Sequence, residues 1–282
     1  MYAIPILTAG SIRATQMIPQ DYHIHTDYSC DCKATMVEMC QAAIELNIKE
    51  IGFCDHYDLM PEDPCYAFFQ ADAWWESLQR CREDFGDTLT IRAGIELGEP
   101  HLFQAEMHEI LEKYAWDYCM GSLHWVGSKS VFDPSYFKVP ADVAYRMYFL
   151  ELAKMIAHAE FDILAHIDVV KRYGFDAYGM YDPRQFESEI RDVLRICATR
   201  GIALEVNTAP LRRPVNQTSP SAVTLSWFRE EGGRRVTLGS DAHLTEHVGF
   251  GLDSVMSILR SVGFENLASF ESRNPSPTPI PQ

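Results

Sequence analysis

The chain has 282 residues, 47% hydrophobic and 23% charged, which is the composition of a globular protein and excludes a disordered or fibrous one. Forty acidic against 24 basic residues leave a formal charge of −16, which repels phosphate backbones and anionic lipid, so no nucleic-acid polymer is expected as a partner. No run approaches the ~18 consecutive apolar residues of a membrane helix, and no membrane span is predicted.

Residues 1–19 carry no basic segment ahead of their short apolar run, so they read as an extension or edge strand rather than a secretory signal, and the protein as cytoplasmic. The first strand is predicted at DYHIH (Asp21 to His25). MVEMCQAAIEL follows it, with Met36, Met39, Cys40, Ala43 and Ile44 at helical spacing. Further strands are predicted at EIGFCDH, TIRAGIEL, YCMGSLHW, FDILAHID, IALEVNT and RRVTLGSDAH. Between them lie helical segments such as ADAWWESLQRCREDF, YRMYFLELAKMIAHA, PRQFESEIRDVLRICATR and SAVTLSWFREE.

The markers His25, Asp55, Glu96, His124, His166, Asn207 and Asp241 are separated by 30, 41, 28, 42, 41 and 34 residues, and each interval fits one βα unit. Seven such units without a linker predict a single α/β domain over residues 20–272, closed or nearly closed into a barrel. The tail RNPSPTPIPQ, residues 273–282, has four prolines, which exclude helix and central strand; it is expected to be extended and mobile. Eight cysteines with no framework spacing read as reduced thiols, and Cys30 and Cys32 as packing residues sooner than metal ligands.

Every predicted strand ends in a polar or ionisable residue, and six of the ten histidines lie at such ends: His23, His25, His56, His124, His166 and His243. In a parallel barrel the C-terminal strand ends converge on one face, so these residues become neighbours. His23 and His25, two apart, share one side of their strand. Asp55, Glu96 and Asp241 join them, with Asp31 in the loop after the first strand. So many imidazoles and carboxylates would leave unpaired buried charge, at several kcal/mol per ion, unless a cation compensates. Mixed histidine and carboxylate donors suit zinc, iron(II) or manganese(II).

In order along residues 21 to 250, DYHIHTDYSCD, the DH at Asp55 and His56, GIELG around Glu96, SLHW at His124, LAHID at His166 and GSDAH at Asp241 to His243 resemble the successive motifs of the PHP (polymerase and histidinol phosphatase) superfamily. Within it, LEVNTAPLRRP (Leu204 to Pro214) and HIDVVKRYG (His166 to Gly174) are similar to segments of the monofunctional histidinol-phosphate phosphatases. The resemblance implies a distorted, TIM-like (β/α)7 barrel of PHP type holding three divalent ions of zinc, iron or manganese. His23, His25, Glu96 and Asp241 would hold the first, and Glu96 would bridge to a second held by His124 and His166. Asp31, His56 and His243 would hold the third. The implied reaction is hydrolysis of L-histidinol phosphate to L-histidinol and phosphate, a step of histidine biosynthesis. Another small phosphorylated metabolite or nucleotide is the alternative substrate. Two close metals lower the pKa of a bridging water, so a metal-bridging hydroxide is the expected nucleophile. Pro210, Arg213 and Thr218 depart from the segment, where Gly, Lys and Tyr are usual, and bear on substrate identity.

Arg212 is the first choice to neutralise the phosphoryl oxygens and, with Glu96, Asp241 and His243, makes up the expected catalytic set. Arg213, Lys171 and Arg172 lie past strand ends on the same face. Asn207 is placed to orient phosphate or a substrate hydroxyl. Asp168, two residues after His166, either receives the substrate amine or fixes the tautomer of a ligand imidazole. Histidines 101, 108, 158 and 247 fall outside the constellation. Trp125 lines the pocket beside His124, whereas Trp74, Trp75, Trp116, Phe68 and Phe69 read as helix-to-barrel packing.

Overall fold

The computed structural model describes residues 17–282, so most of the expected N-terminal extension lies outside the described residues. Seven parallel strands pair in chain order: β1 (Gln20–Ile24), β2 (Glu50–Phe53), β3 (Thr90–Gly98), β4 (Tyr118–Ser122), β5 (Ile163–Leu164), β6 (Ala203–Asn207) and β7 (Val236–Gly239). Just past β7, the Ala242 N–H donates to the His23 carbonyl at 3.1 Å and its carbonyl accepts from the His25 N–H at 2.9 Å. That bridge brings β7 back to β1, and the expected seven-stranded barrel is present.

Among the described residues, eight α-helices accompany the strands: α1 (Met36–Glu45), α2 (Ala71–Phe85), α3 (Gln104–Lys113), α4 (Ala141–His158), α5 (Val170–Tyr178), α6 (Glu187–Arg200), α7 (Ala222–Glu230) and α8 (Leu252–Ser261). Local sequence explains their limits. Thr35 and Glu38 form a reciprocal capping box before α1, and Gly201 ends α6 in the left-handed conformation. On α6, Ile190, Val193, Leu194 and Cys197 make the buried stripe that faces the core. Among the described residues, no helix is long and apolar enough to cross a membrane.

One end of the barrel is filled by side chains. Tyr22 and Tyr118 stack with ring centroids 4.8 Å apart, and a Cβ at Gly52 or Gly94 would lie 2.0 or 2.3 Å from atoms of the Tyr118 side chain. Only glycine lets that ring lie across β2 and β3.

The proline-rich tail is extended, as expected, but paired where mobility was expected. Asn274–Pro279 is a strand, β9, paired antiparallel with β8 (Asn266–Glu271). Pro275, Pro277 and Pro279 oppose Phe270, Ala268 and Asn266, alternating with Asn274, Ser276 and Thr278, which retain the N–H groups a ladder needs. Proline is excluded from a central strand, yet an edge strand tolerates it at every second position. The hairpin closes the barrel at the end where the strands begin. There Gln20 Nε2 donates to the Ala268 carbonyl at 3.1 Å, and the Arg273 guanidinium meets Asp162 at 2.9 and 3.2 Å.

The cysteines bring a second correction. Cys30 and Cys65, 35 residues apart in sequence, form a disulfide, while the other six are free and buried. Pairing depends on where two loops meet, which spacing along the chain does not encode.

Candidate metal centre

At the opposite end of the barrel the strand ends converge on Glu96, near the C-terminus of β3. Short segment His56–Tyr57 pairs in parallel with β3 and sets His56 directly opposite Glu96. Glu96 Oε2 lies 3.5 Å from His23 Nε2, 3.6 Å from His25 Nε2 and 3.0 Å from His56 Nδ1. Its other oxygen, Oε1, lies 2.9 Å from His166 Nε2 and 3.6 Å from His124 Nε2. A single carboxylate is thus shared by five imidazoles.

Asp241 flanks the group, with Oδ1 3.6 Å from His25 Nε2 and 3.4 Å from His243 Nδ1. Asp31 stands at the rim, 3.2 Å from His243 Nε2 and 3.8 Å from His56 Nε2. All nine residues expected from the sequence therefore meet at one mouth. Their potential donor atoms fall into overlapping groups that include His23, His25 and Asp241, then His23, Glu96 and His166, and then His25, His56 and His243.

The electrostatics suit a cation. Burial pushes the Glu96 carboxyl up, but the charges of His56 and His23 and hydrogen bonds from His124 and His166 outweigh it and hold it well below the usual range. Asp241 is likewise held down against burial, chiefly by His23 and Arg172. Burial, with His243 and His56 nearby, pushes His25 well below the usual imidazole range, towards the neutral form that binds metals. His23 Nε2, His25 Nε2, His56 Nδ1 and Glu96 Oε2 are buried without a hydrogen-bond partner. Aligned donors left unpaired at such cost fit divalent metal ligation.

Several supporting residues carry no motif of their own. Glu205 accepts from His23 Nδ1 at 2.7 Å, from the His166 N–H at 2.6 Å and from Asn207 Nδ2 at 3.1 Å. It therefore orients one imidazole and positions a second. Its sequence signal was its place two residues before Asn207 on β6, hence on the same face. Glu99 holds the His124 and Trp125 N–H groups, at 2.5 and 2.9 Å, and burial pushes its carboxyl up to about 8. Buried Asp58 lies 3.6 Å from His56 Nδ1 and 3.8 Å from His124 Nδ1. Asp55 faces elsewhere, tying down Thr26, Ser29 and the Trp74 indole.

The expected substrate contacts divide. Arg172 Nη1 reaches Asp241 Oδ2 at 3.1 Å, and Arg212 donates to the Ser240 and Asp241 carbonyls at 2.8 and 3.0 Å. Both guanidiniums stand at the mouth, whereas Arg213 is exposed. Lys171 is fully buried between Asp168 Oδ2 and the Thr218 carbonyl, each at 2.7 Å, so it pins α5 and is turned away from solvent. Asp168 also accepts from Ser219, so Glu205, not Asp168, serves the imidazoles. The Asn207 amide is taken up by Glu205 and the Ala209 N–H. Trp125 is buried, with its indole N–H on Asp63 at 2.7 Å.

A parallel barrel whose open end gathers six imidazoles around shared carboxylates defines a metal-binding barrel enzyme. Residues 21–209 match the PHP domain, and the chain belongs to that family. A histidinol-phosphatase of Lactococcus lactis is 25% identical over 253 residues, covering 89% of this chain and 93% of that protein. A probable histidinol-phosphatase of Clostridium acetobutylicum is 27% identical, covering 87% and 96%. The crystal structure of histidinol phosphate phosphatase from Lactococcus lactis, complexed with zinc, L-histidinol and phosphate, superposes with a TM-score of 0.86 at 23% identity, covering 93% of this chain and all of that one.

Replacing Glu205 tests the supporting shell. Glu205→Gln should weaken metal binding about 10- to 100-fold, because the amide loses the charge that orients His23. Competition with a chromogenic chelator measures it, and unchanged affinity would show that His23 needs no such support.

Proposed function

We propose that this chain hydrolyses L-histidinol phosphate to L-histidinol and phosphate as a metal-dependent phosphomonoesterase. The carrying observation is Glu96, one carboxylate shared by five imidazoles with two arginines at the adjoining Asp241. The names of relatives matched over nearly their whole length support the substrate.

In this reading His23, His25, Glu96 and Asp241 would hold one divalent ion, Glu96, His124 and His166 a second, and Asp31, His56 and His243 a third; zinc, iron(II) and manganese(II) all suit these donors. When bound, such ions polarise the phosphoryl oxygens and lower the pKa of water between them. The chain's own residues supply the rest. Glu96 turns one oxygen to His23, His25 and His56 and the other to His124 and His166, and so would serve two sites. Glu205 and Glu99 fix His23 and the backbone at His124 before substrate arrives. Arg172 and Arg212, held at Asp241 and at the Ser240 and Asp241 carbonyls, would neutralise the nonbridging oxygens. The exposed Arg213 would offer a further cation to the substrate.

A phosphate-release assay across a panel of phosphomonoesters tests the substrate. Histidinol phosphate should give the highest kcat/KM, and a sugar phosphate or nucleotide that surpassed it would replace it. Elemental analysis of protein never exposed to chelator should find close to three ions per chain. Occupancy that stays at one after reconstitution would overturn the trinuclear reading.

A further inference from the structure

Two loops at the rim of the metal centre are joined through Cys30 and Cys65, whose Cα atoms are 5.4 Å apart. Both residues are partly exposed, whereas the six free cysteines are buried. An external thiol can therefore reach this pair alone. Cys30 directly precedes Asp31, whose side chain is 52% exposed yet stands within 4 Å of His56 and His243.

The loop bearing Asp31 is anchored at its base, where Ser29 Oγ donates to Asp55 at 2.6 Å and the Asp27 N–H to the Ala34 carbonyl at 2.8 Å. At its tip the Cys32 thiol contacts the His243 carbonyl at 3.2 Å, and the disulfide supplies the covalent tie. Cys65 lies in residues 58–70, an irregular stretch between the His56–Tyr57 segment and α2. Asp63 holds that stretch in place, accepting from the Cys65 N–H and the Trp125 indole at 2.7 Å each. The disulfide thus connects Asp31 to a loop already fastened beside His124.

We propose that Cys30–Cys65 is a redox modification site whose disulfide fixes Asp31 at the metal centre and whose reduction loosens it. The inference rests on the reading that Asp31, His56 and His243 hold the outermost ion. The co-reactant is a dithiol. Its thiolate attacks one sulfur, giving a mixed disulfide and releasing the other cysteine as a thiolate that takes up a proton. Its second thiol then displaces the first cysteine, so that the protein gains two electrons and two protons and the reductant leaves as a disulfide. Cys30 becomes free of Cys65, and Asp31 loses the restraint that held it against His56 and His243.

The test uses the 282-residue protein reconstituted with zinc, in three forms: untreated, reduced with a dithiol that is then removed, and Cys65→Ser. Alkylation in denaturant followed by mass measurement counts thiols, and zinc transfer to excess chelator is followed in time. The untreated protein should show six thiols and the reduced protein eight. One ion of three should leave the reduced protein and Cys65→Ser about 10-fold faster than the untreated protein, with the other two unaffected. Reduced wild type answers the question even if the variant folds poorly. Eight thiols without reduction overturn the proposal. So do three ions that leave all forms at one rate, which leaves the trinuclear reading intact. Only two ions in the bridged protein overturn both readings, and the count alone distinguishes that case.

Discussion

Glu96→Gln should lower hydrolysis by at least about 100-fold, the scale of losing a principal electrostatic stabiliser. The substitution keeps the shape of the side chain and removes its charge, so packing in the barrel mouth is preserved. One acceptor oxygen becomes an NH2 group. If that end replaces Oε2 it points a donor at His23, His25 and His56; if it replaces Oε1 it faces His124 and His166. Either way a carboxylate able to serve two ions at once is lost, and with it the spacing on which activation of water depends. Steady-state turnover and metal content on the same sample check the expectation. A variant with near-normal turnover and full metal would place the bridge on another residue.

Arg212→Ala should reduce kcat/KM for every phosphomonoester by about 30- to 1000-fold, corresponding to about 2 to 4 kcal/mol of transition-state binding. The guanidinium is anchored on the Ser240 and Asp241 carbonyls and lies over the Phe250 ring, which fixes its plane. Asp241 adopts a left-handed backbone conformation, φ 52°, so the anchoring also steadies a residue proposed to hold metal in a conformation few side chains favour. The Asp241 carboxylate keeps its contact with Arg172, and the metals are expected to remain bound. Arg212→Lys should recover part of the loss, because an ammonium supplies charge without the planar fork. Unchanged kinetics in the alanine variant would transfer the phosphate-binding role to Arg172, whose Nε is buried without a partner.

Much of this architecture was legible along the chain. Polar residues closing seven apolar segments at intervals of one βα unit are a local signal, and a parallel barrel converts it into a site without further information. That pattern named the six strand-end histidines with Asp31, Glu96 and Asp241, but also Asp55, which the structure turns towards Thr26, Ser29 and Trp74; the resemblance to the PHP superfamily implied the set His23, His25, Asp31, His56, Glu96, His124, His166, Asp241 and His243, and those nine do meet at one mouth. Helices with strong stripes and caps, such as α1 and α6, were equally plain.

What the sequence by itself determined was which side chains stand at the open end, because strand alternation and barrel closure depend on periodicity within a few residues. Only the tertiary structure decided which neighbour each one meets. Glu205 reaches His23 across 182 residues of sequence, and Asp168 turns to Lys171 and Ser219 although its position two residues after His166 pointed to the substrate amine or a ligand imidazole. The same holds for the disulfide between Cys30 and Cys65 and for the proline-bearing strand β9, which depends on β8 and the barrel's underside for its pairing. Each is a contact between segments far apart in the chain. Its free energy depends on distance and angle in the folded state, which the closing of the barrel sets and local sequence preference does not.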